Sequence, residues 1–285
     1  MKYYNPATFE EASTIAVNAS GTTRFLAGGT DLLVQLRAGL MTPDTVIDIK
    51  NIPAAKEIKR EPDGSWTVGA AVSGAEMTDH PEISHDWPGL IEAMDLIGST
   101  QIQGRATMVG NLCNGSPAAD CVPALFAVGA EVSITGPSGV RRVKVEDIPV
   151  GPGKVSLKVY EVISAVHIPA RNTGGGDAYL RFIPRTEMDI AVVGCAVNLR
   201  VKNSIIKEAR VGLGAVAPTV LLVEKASAAL TGTTLNKVAL ESLSAVISAA
   251  CNPIDDKRGT VEFRTEVAGV LARRAAMIAY DRARG

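Results

Sequence analysis

Aromatic side chains are scarce in this sequence: Phe, Trp and Tyr together supply 4% of the 285 residues, while hydrophobic residues of all kinds supply 46%. The core must therefore be built from Ala, Val, Leu and Ile. An excess of charge is also missing, since 29 Lys and Arg meet 30 Asp and Glu and no polybasic block stands out. That balance excludes the long-range field that draws proteins to nucleic acid or to an anionic membrane. No apolar run approaches the ~20 residues a membrane span needs. The opening MKYYNPATFE has no charged segment followed by an apolar one, as a secretion signal would. The expectation is a cytoplasmic protein whose partner is a small molecule or another protein. Cys113, Cys121, Cys195 and Cys251 are too scattered for a CxxC knuckle and read as buried free thiols. His80, His85 and His167 lack metal-ligand spacing, so no metal is expected in this chain.

What is present reads first as a strand-and-helix chain with glycine punctuation. Helical spacing runs from Phe9 to Ala19, an apolar stretch from Arg24 to Ala27 ends in Gly28-Gly29, and an amphipathic run follows from Asp31 to Ala38. Strands are expected at Thr45 to Ile49, Trp66 to Ala71, Glu131 to Thr135 and Val159 to Ile168, with helices at Leu90 to Ile97 and onward from Pro123. Gly98 to Asp120 reads as one long irregular stretch. RNTGGGD at 171–177 reads as the most flexible segment, because consecutive glycines neither propagate helix nor pack a sheet. A domain boundary is placed there, giving domains at 1–170 (with parts at about 1–55 and 56–170) and 177–285. Beyond it, Ile190 to Val201 and Ile206 to Val216 suggest a hairpin about Lys202-Asn203. Helices follow near Val220 to Leu230, Asn236 to Ala250 and Val261 to Arg284, the last capped by Thr260.

Two segments carry candidate chemistry. In the first, Phe25, Leu26, Ala27, Gly28, Gly29, Thr30, Asp31 and Leu32 form a strand end, a bare glycine turn and a helix start. That order exposes backbone N–H groups to an anion such as a pyrophosphate. The second is TMVGNLCNGSPAAD at 107–120, which concentrates Thr107, Gly110, Asn111, Asn114 and Asp120 in an apolar neighbourhood. Asp120 could equally cap the helix that follows it. Other fragments are set aside. GLGAVA at 212–217 matches a dinucleotide fingerprint but runs into Pro218 with no second strand ending in an acid, and GPGK at 151–154 lacks the rest of a P-loop. Arg181, Arg185, Glu187 and Asp189 within YLRFIPRTEMDI read on their own as an ion-pair network at a domain interface.

Taken in order, AGGTDL at 27–32, GNLCNGSPAAD at 110–120, YLRFIPRTEMDIAVVGCAV at 179–197, VGLGAVAPT at 211–219 and DDKRGTVEFR at 255–264 resemble the FAD-binding subunit of the molybdenum hydroxylases. This is the family of xanthine and carbon monoxide dehydrogenases. The resemblance implies an α+β fold: a p-cresol methylhydroxylase-type FAD domain of two α/β parts, then a C-terminal three-stranded antiparallel sheet with helices. It implies that Phe25 to Leu32 wrap the pyrophosphate, and that Thr107, Asn111, Asn114 and Asp120 hold the diphosphate and ribitol side. Ile97 and Ile163 match positions lining the flavin, Arg181 a basic flavin contact, and Ile190 a residue on the loop facing the ring. Two departures stand out. Val109 precedes Gly110-Asn111 where many relatives have a further glycine, and Met188 stands where xanthine-oxidising relatives carry an acid.

The implied function is electron transfer by noncovalent FAD within an oxidoreductase complex. A large molybdenum–pterin subunit would oxidise the substrate, a small subunit with two 2Fe–2S clusters would relay electrons, and NAD or another acceptor would take them from this chain. The cofactor carries the chemistry, so no catalytic side chain is required. A scaffold with a decayed flavin site and a stand-alone flavin oxidase of the same fold are the alternatives.

Overall fold

A computed structural model describes residues 1–285. The chain opens with β1 (Lys2–Tyr4), α1 (Phe9–Asn18), β2 (Thr23–Leu26), α2 (Leu32–Arg37) and β3 (Thr45–Asp48). β3 lies between β1 and β2 and parallel to both, so α1 and α2 serve as the crossovers parallel strands require. α1 begins where Thr8 Oγ1 accepts the Glu11 N–H at 3.1 Å, and it buries Phe9, Ala12 and Ala16 along one face.

The second part contains β4 (Ile58–Arg60), β5 (Trp66–Gly69), α3 (Gly74–Asp79), α4 (Pro81–Asp86), α5 (Pro88–Asp95), α6 (Thr100–Gln103), α7 (Met108–Cys113) and α8 (Cys121–Val128). It finishes with β6 (Glu131–Gly136), β7 (Gly139–Lys144), β8 (Pro149–Gly151), β9 (Lys154–Val155) and β10 (Val162–Ile168). β10 returns to the middle of an antiparallel sheet ordered β4-β5-β10-β6-β7. The stretch 98–120, expected to be irregular, holds α6 and α7. Its polar residues act partly as helix signals: Thr107 Oγ1 accepts the Gly110 N–H at 2.9 Å and so starts α7, whose Met108, Val109 and Leu112 are buried.

The C-terminal part consists of β11 (Gly175–Phe182), β12 (Val193–Lys202), β13 (Ile205–Gly214), the two-residue β14 (Leu221–Leu222), α9 (Glu224–Leu230), α10 (Lys237–Ala250) and α11 (Val261–Arg284). Three long strands run antiparallel in chain order, with β14 as a short edge. The β12–β13 turn falls at Asn203-Ser204, both at positive φ (53° and 59°), the conformation a two-residue hairpin favours. Thr260 caps α11 through the Phe263 N–H at 3.2 Å.

The glycine run was expected to be flexible and unpaired, but Gly175, Gly176 and Asp177 pair with Arg200, Leu199 and Asn198 as the start of β11. The physical reason is close packing. A Cβ on Gly176 would lie 2.0 Å from the Ala279 carbonyl oxygen, so its absence lets the α11 backbone rest directly on the strand. Gly212, in the rejected fingerprint, plays the same part in β13, where the Pro123 carbonyl oxygen stands 2.2 Å from the would-be Cβ.

Two hydrophobic clusters form, one mainly from residues before 170 and one from the C-terminal sheet and helices. Tyr179, Ala196 and Val220 join the first cluster from the second half of the chain. α8 is the element between them, with every residue buried. A helix apolar on all sides is stable only when enclosed, and here β12 and β13 supply the far wall. Replacing Gly176 by Ala is expected to destabilise the chain by about 1–3 kcal/mol through overpacking against α11. Denaturant midpoints of the two proteins check this, and an unchanged midpoint would mean α11 does not sit against β11 in this way.

Candidate cofactor site

The end of β2 opens onto a cleft of about 540 Å³. Phe25, Leu26, Ala27, Gly28, Gly29, Thr30, Asp31 and Leu32 line one side of it. Gly29 has φ +81°, a region L side chains rarely adopt, and this turns the chain sharply from β2 into α2. Gly28 meets the second loop: a Cβ there would fall 1.9 Å from the Arg105 carbonyl oxygen, and Arg105 Nε donates to the Gly28 carbonyl at 3.3 Å. The backbone N–H groups from Gly28 through Leu32 donate to no acceptor in the protein. A row of free N–H groups on a tight turn at a helix start is a donor set suited to a phosphate or pyrophosphate. The residues present therefore fit a phosphate-bearing cofactor.

Thr107, Gly110, Asn111 and Asn114 line the opposite side, with Ile97 and Ile163 among the apolar lining. Each polar member also has a structural duty. Thr107 caps α7, and Asn111 Oδ1 accepts the Cys121 N–H at 3.1 Å, satisfying the start of α8. Asn114 Nδ2 reaches Asp31 Oδ1 at 3.4 Å, so the two loops touch across the cleft. Partial burial beside the cleft holds the Asp31 carboxyl above its usual range. Val109, the departure from a glycine-rich pattern, sits inside α7 with no positive φ and contributes its side chain to the wall. No glycine freedom is required at that position.

Asp120, Arg181 and Ile190 are not among the cleft-lining residues. Asp120 stands just before α8 but makes no capping bond. It faces Arg181 instead, with Oδ2 3.1 Å from Arg181 Nη1, which also donates to the Leu96 carbonyl at 2.6 Å. The pair is buried and ties β11 to the backbone beside Ile97. Burial pushes the Asp120 carboxyl up to about 6, with the Arg181 charge and hydrogen bond working against that rise. Ile190 is 54% exposed, on the loop between β11 and β12. That loop is held by Asp189, which pairs with Arg185 and Arg258 at 3.1 Å each, so the ion-pair reading of this segment holds for Arg181, Arg185 and Asp189, whereas Glu187 forms no salt bridge. Met188 on the same loop adopts φ 55° and is largely exposed.

Sequence reasoning missed the third side of the cleft. Gly153, Val155, Leu157, Lys158, Val159, Glu161 and Val162 come from the β8–β9 hairpin and the approach to β10. Gly153 N–H donates to the Gly115 carbonyl at 2.9 Å, which fastens this hairpin to the second loop. Lys158 and Arg24 are the cations in the lining. Lys158 has no carboxylate within ion-pair reach, and its ammonium lies 5.9 Å from the Tyr160 ring. The one local signal was GPGK itself, a glycine-rich turn beside a lysine. Cys113 also lines the cleft and is exposed, Cys251 is half-buried, and Cys121 and Cys195 are buried as expected.

The FAD binding domain in molybdopterin dehydrogenase matches residues 1–171, and the CO dehydrogenase flavoprotein C-terminal domain matches residues 178–279. The carbon monoxide dehydrogenase medium chain of Afipia carboxidovorans is 33% identical over 99% of this chain and 97% of its own length. The xanthine dehydrogenase FAD-binding subunit of Escherichia coli O157:H7 is 30% identical over 95% of this chain and 93% of its own. Among solved structures, a carbon monoxide dehydrogenase from Hydrogenophaga pseudoflava that lacks the Mo-pyranopterin moiety superposes with a TM-score of 0.95 at 31% identity, covering 99% and 98% of the two chains. The chain belongs to the FAD-binding medium-subunit family of the molybdenum hydroxylases. FAD is its cofactor, and it is an oxidoreductase subunit with the α+β fold of that family.

The raised Asp120 carboxyl has a defined pH signature. Its folded value, about 6, lies above the ordinary 3.8, so the fold prefers the protonated form. That contribution is complete below pH ~4 and is lost as the pH rises through about 6. Asp120→Asn mimics the protonated group. The unfolding stability of the natural chain is therefore expected to fall relative to D120N across this window. A difference that stays flat would show that Asp120 is ionised throughout.

Proposed function

We propose that the chain holds FAD noncovalently in this cleft. Its proposed role is as the electron-transfer subunit of a molybdenum hydroxylase, between the 2Fe–2S clusters of a small partner and an external acceptor such as NAD. FAD, when bound, supplies the capacity to take up electrons singly and release them singly or in pairs. The observation that carries the reading is the row of free N–H groups from Gly28 through Leu32, in residues that line a cleft of cofactor size. These groups would hold the pyrophosphate, with Lys158 adding a positive charge. Asn111 and Asn114 would offer amide donors from the second loop. Ile97 and Ile163 would exclude water from the apolar end, and the buried Asp120–Arg181 pair would fix the backbone next to Ile97. We also propose that the functional domains divide at 171–177, and that the protein works in the cytoplasm. An intact donor row argues against a decayed scaffold.

A large molybdenum–pterin subunit would complete the assembly. The proposed contact with the small subunit is α2. None of its residues is buried although it reads LLVQLR, and Leu33, Val34 and the nearby Leu40 are 47%, 63% and 78% exposed. Apolar surface gathered on one short helix marks an interaction site rather than a solvated face. Leu32 and Gln35 of the same helix line the cleft, so a partner seated there would lie beside the cofactor.

Two outcomes test these assignments. Gly29→Val forces a β-branched residue into φ +81°, with Leu26 and Leu33 side chains 3.0 Å from the new Cβ. It is expected to abolish most of the FAD released by acid from the purified chain, while far-ultraviolet circular dichroism stays native. Full flavin content in that variant would place the cofactor elsewhere. The double variant Val34→Glu, Leu40→Glu should retain FAD yet lose most co-purification with the small subunit, and undiminished co-purification would remove α2 from the interface.

A further inference from the structure

A second recess lies at the seam between the two halves of the chain and shares no lining residue with the cofactor cleft. It is small, about 50 Å³. Successive cross-strand pairs of β12 and β13 form its floor: Asn198 with Arg210, Leu199 with Ala209, and Arg200 with Glu208. Arg171, Asn172 and Gly175, leading into β11, form one wall, and Trp87 at the start of α5 contributes another. Three arginines thus share a lining with a single acidic residue, Glu208. Guanidinium forks match oxyanions in both charge and geometry.

Each arginine is anchored along one edge and leaves another uncommitted. Arg171 gives Nη1 to Asp177 at 2.7 Å and Nη2 to the Gly175 carbonyl at 3.0 Å, and its Nε has no acceptor. Arg210 gives Nε and Nη2 to the Phe126 carbonyl at 3.1 and 2.8 Å and also pairs with Glu146, leaving Nη1 free. Arg200 commits only Nη2, to Glu208. Trp87 adds an independent sign. It is 3% exposed, its ring centre lies 4.8 Å from the Arg171 guanidinium carbon, and its indole Nε1 is buried without a hydrogen-bond partner. Such an orphan donor is costly, so native structures seldom leave one. Asp177 and Glu146 neutralise the outer edges of Arg171 and Arg210 from outside the lining. Glu208, well exposed at the rim, is the acid an incoming anion must compete with.

We propose that this recess binds a small oxyanion of the phosphate or sulfate class, which staples the start of α5, the 171–175 connection and the β12–β13 sheet together. The proposal does not depend on the cofactor assignment. The test uses the FAD-loaded chain, so that the cofactor cleft is filled. Inorganic phosphate is titrated against chloride at constant ionic strength, following the Trp87 indole N–H resonance, which Trp87→Phe identifies, together with Tm. The expected result is a saturable shift of the Trp87 signal but not that of Trp66, with a rise in Tm. Glu208→Gln should tighten phosphate binding several-fold by removing the competing charge. Arg200→Gln, with flavin content confirming its fold, should weaken binding about tenfold or more by removing a charge-assisted donor. ADP binding more tightly than phosphate would identify a nucleotide phosphoryl group as the source of the oxyanion; equal or weaker binding would identify the free ion. A Trp87 signal unmoved by millimolar phosphate, a response matched by chloride, or equal affinity in R200Q would overturn the proposal.

Discussion

The fold depends on enclosing α8. This helix is apolar on every side, so neither half of the chain can bury it alone. Its ends also carry backbone groups that need partners once water is removed. At its start the Asn111 side chain accepts the Cys121 N–H. At its end the Phe126 carbonyl is taken by Arg210 and the Ala127 carbonyl by Asn198, both reaching across from the C-terminal sheet. A cationic donor at a helix C-terminus is favoured by the dipole as well as by the hydrogen bond. The two halves are thereby joined through polar groups that find their partners across the seam, where water is excluded.

This arrangement explains why site and scaffold share residues. Asn111 lines the cleft with one face and starts α8 with its oxygen, and Thr107 lines the cleft while capping α7. A loop so committed is stiff before any ligand arrives, which lowers the ordering cost of binding. The same economy holds for Arg181, whose single Nη1 serves both Asp120 and the Leu96 carbonyl. Breaking a buried pair of this kind leaves an uncompensated charge, so Asp120 and Arg181 act together.

Ion pairs organise the region around the β11–β12 loop as well. Asp189 binds Arg185 and Arg258, Arg258 lies near Asp256, and Asp256 holds the buried Arg264, which donates to the Val192 carbonyl. Hydrogen bonding by Arg185, with Arg258 adding to it, holds the Asp189 carboxyl at about 2, so the chain of charges persists across the physiological range. YLRFIPRTEMD and DDKRGTVEFR, far apart in sequence, are two halves of one network.

Local patterns were legible from the residues alone wherever local physics decides. The cap at Thr260 and the Gly28-Gly29 turn rest on interactions within a few positions, as does the hairpin, expected about 202–203 and found one residue on at 203–204. Neither the cap at Thr8 nor that at Thr107, within the stretch 98–120 that read as irregular, was expected, although both are equally local. The first loop could be read as an anion cradle for the same reason, since the N–H row is a property of consecutive residues. Other features required the tertiary structure. Gly176 read as flexible because its partner, the α11 backbone, lies about a hundred residues away. Asp120 could be read as a cap or a cofactor contact, and only the fold brings Arg181 beside it. The 153–162 wall of the cleft carries almost no motif, because its lining is mostly ordinary aliphatic side chains placed by a hairpin. Sequence determined the elements and the donor row; packing across distant segments decided which polar groups face the cleft and which hold the two halves together.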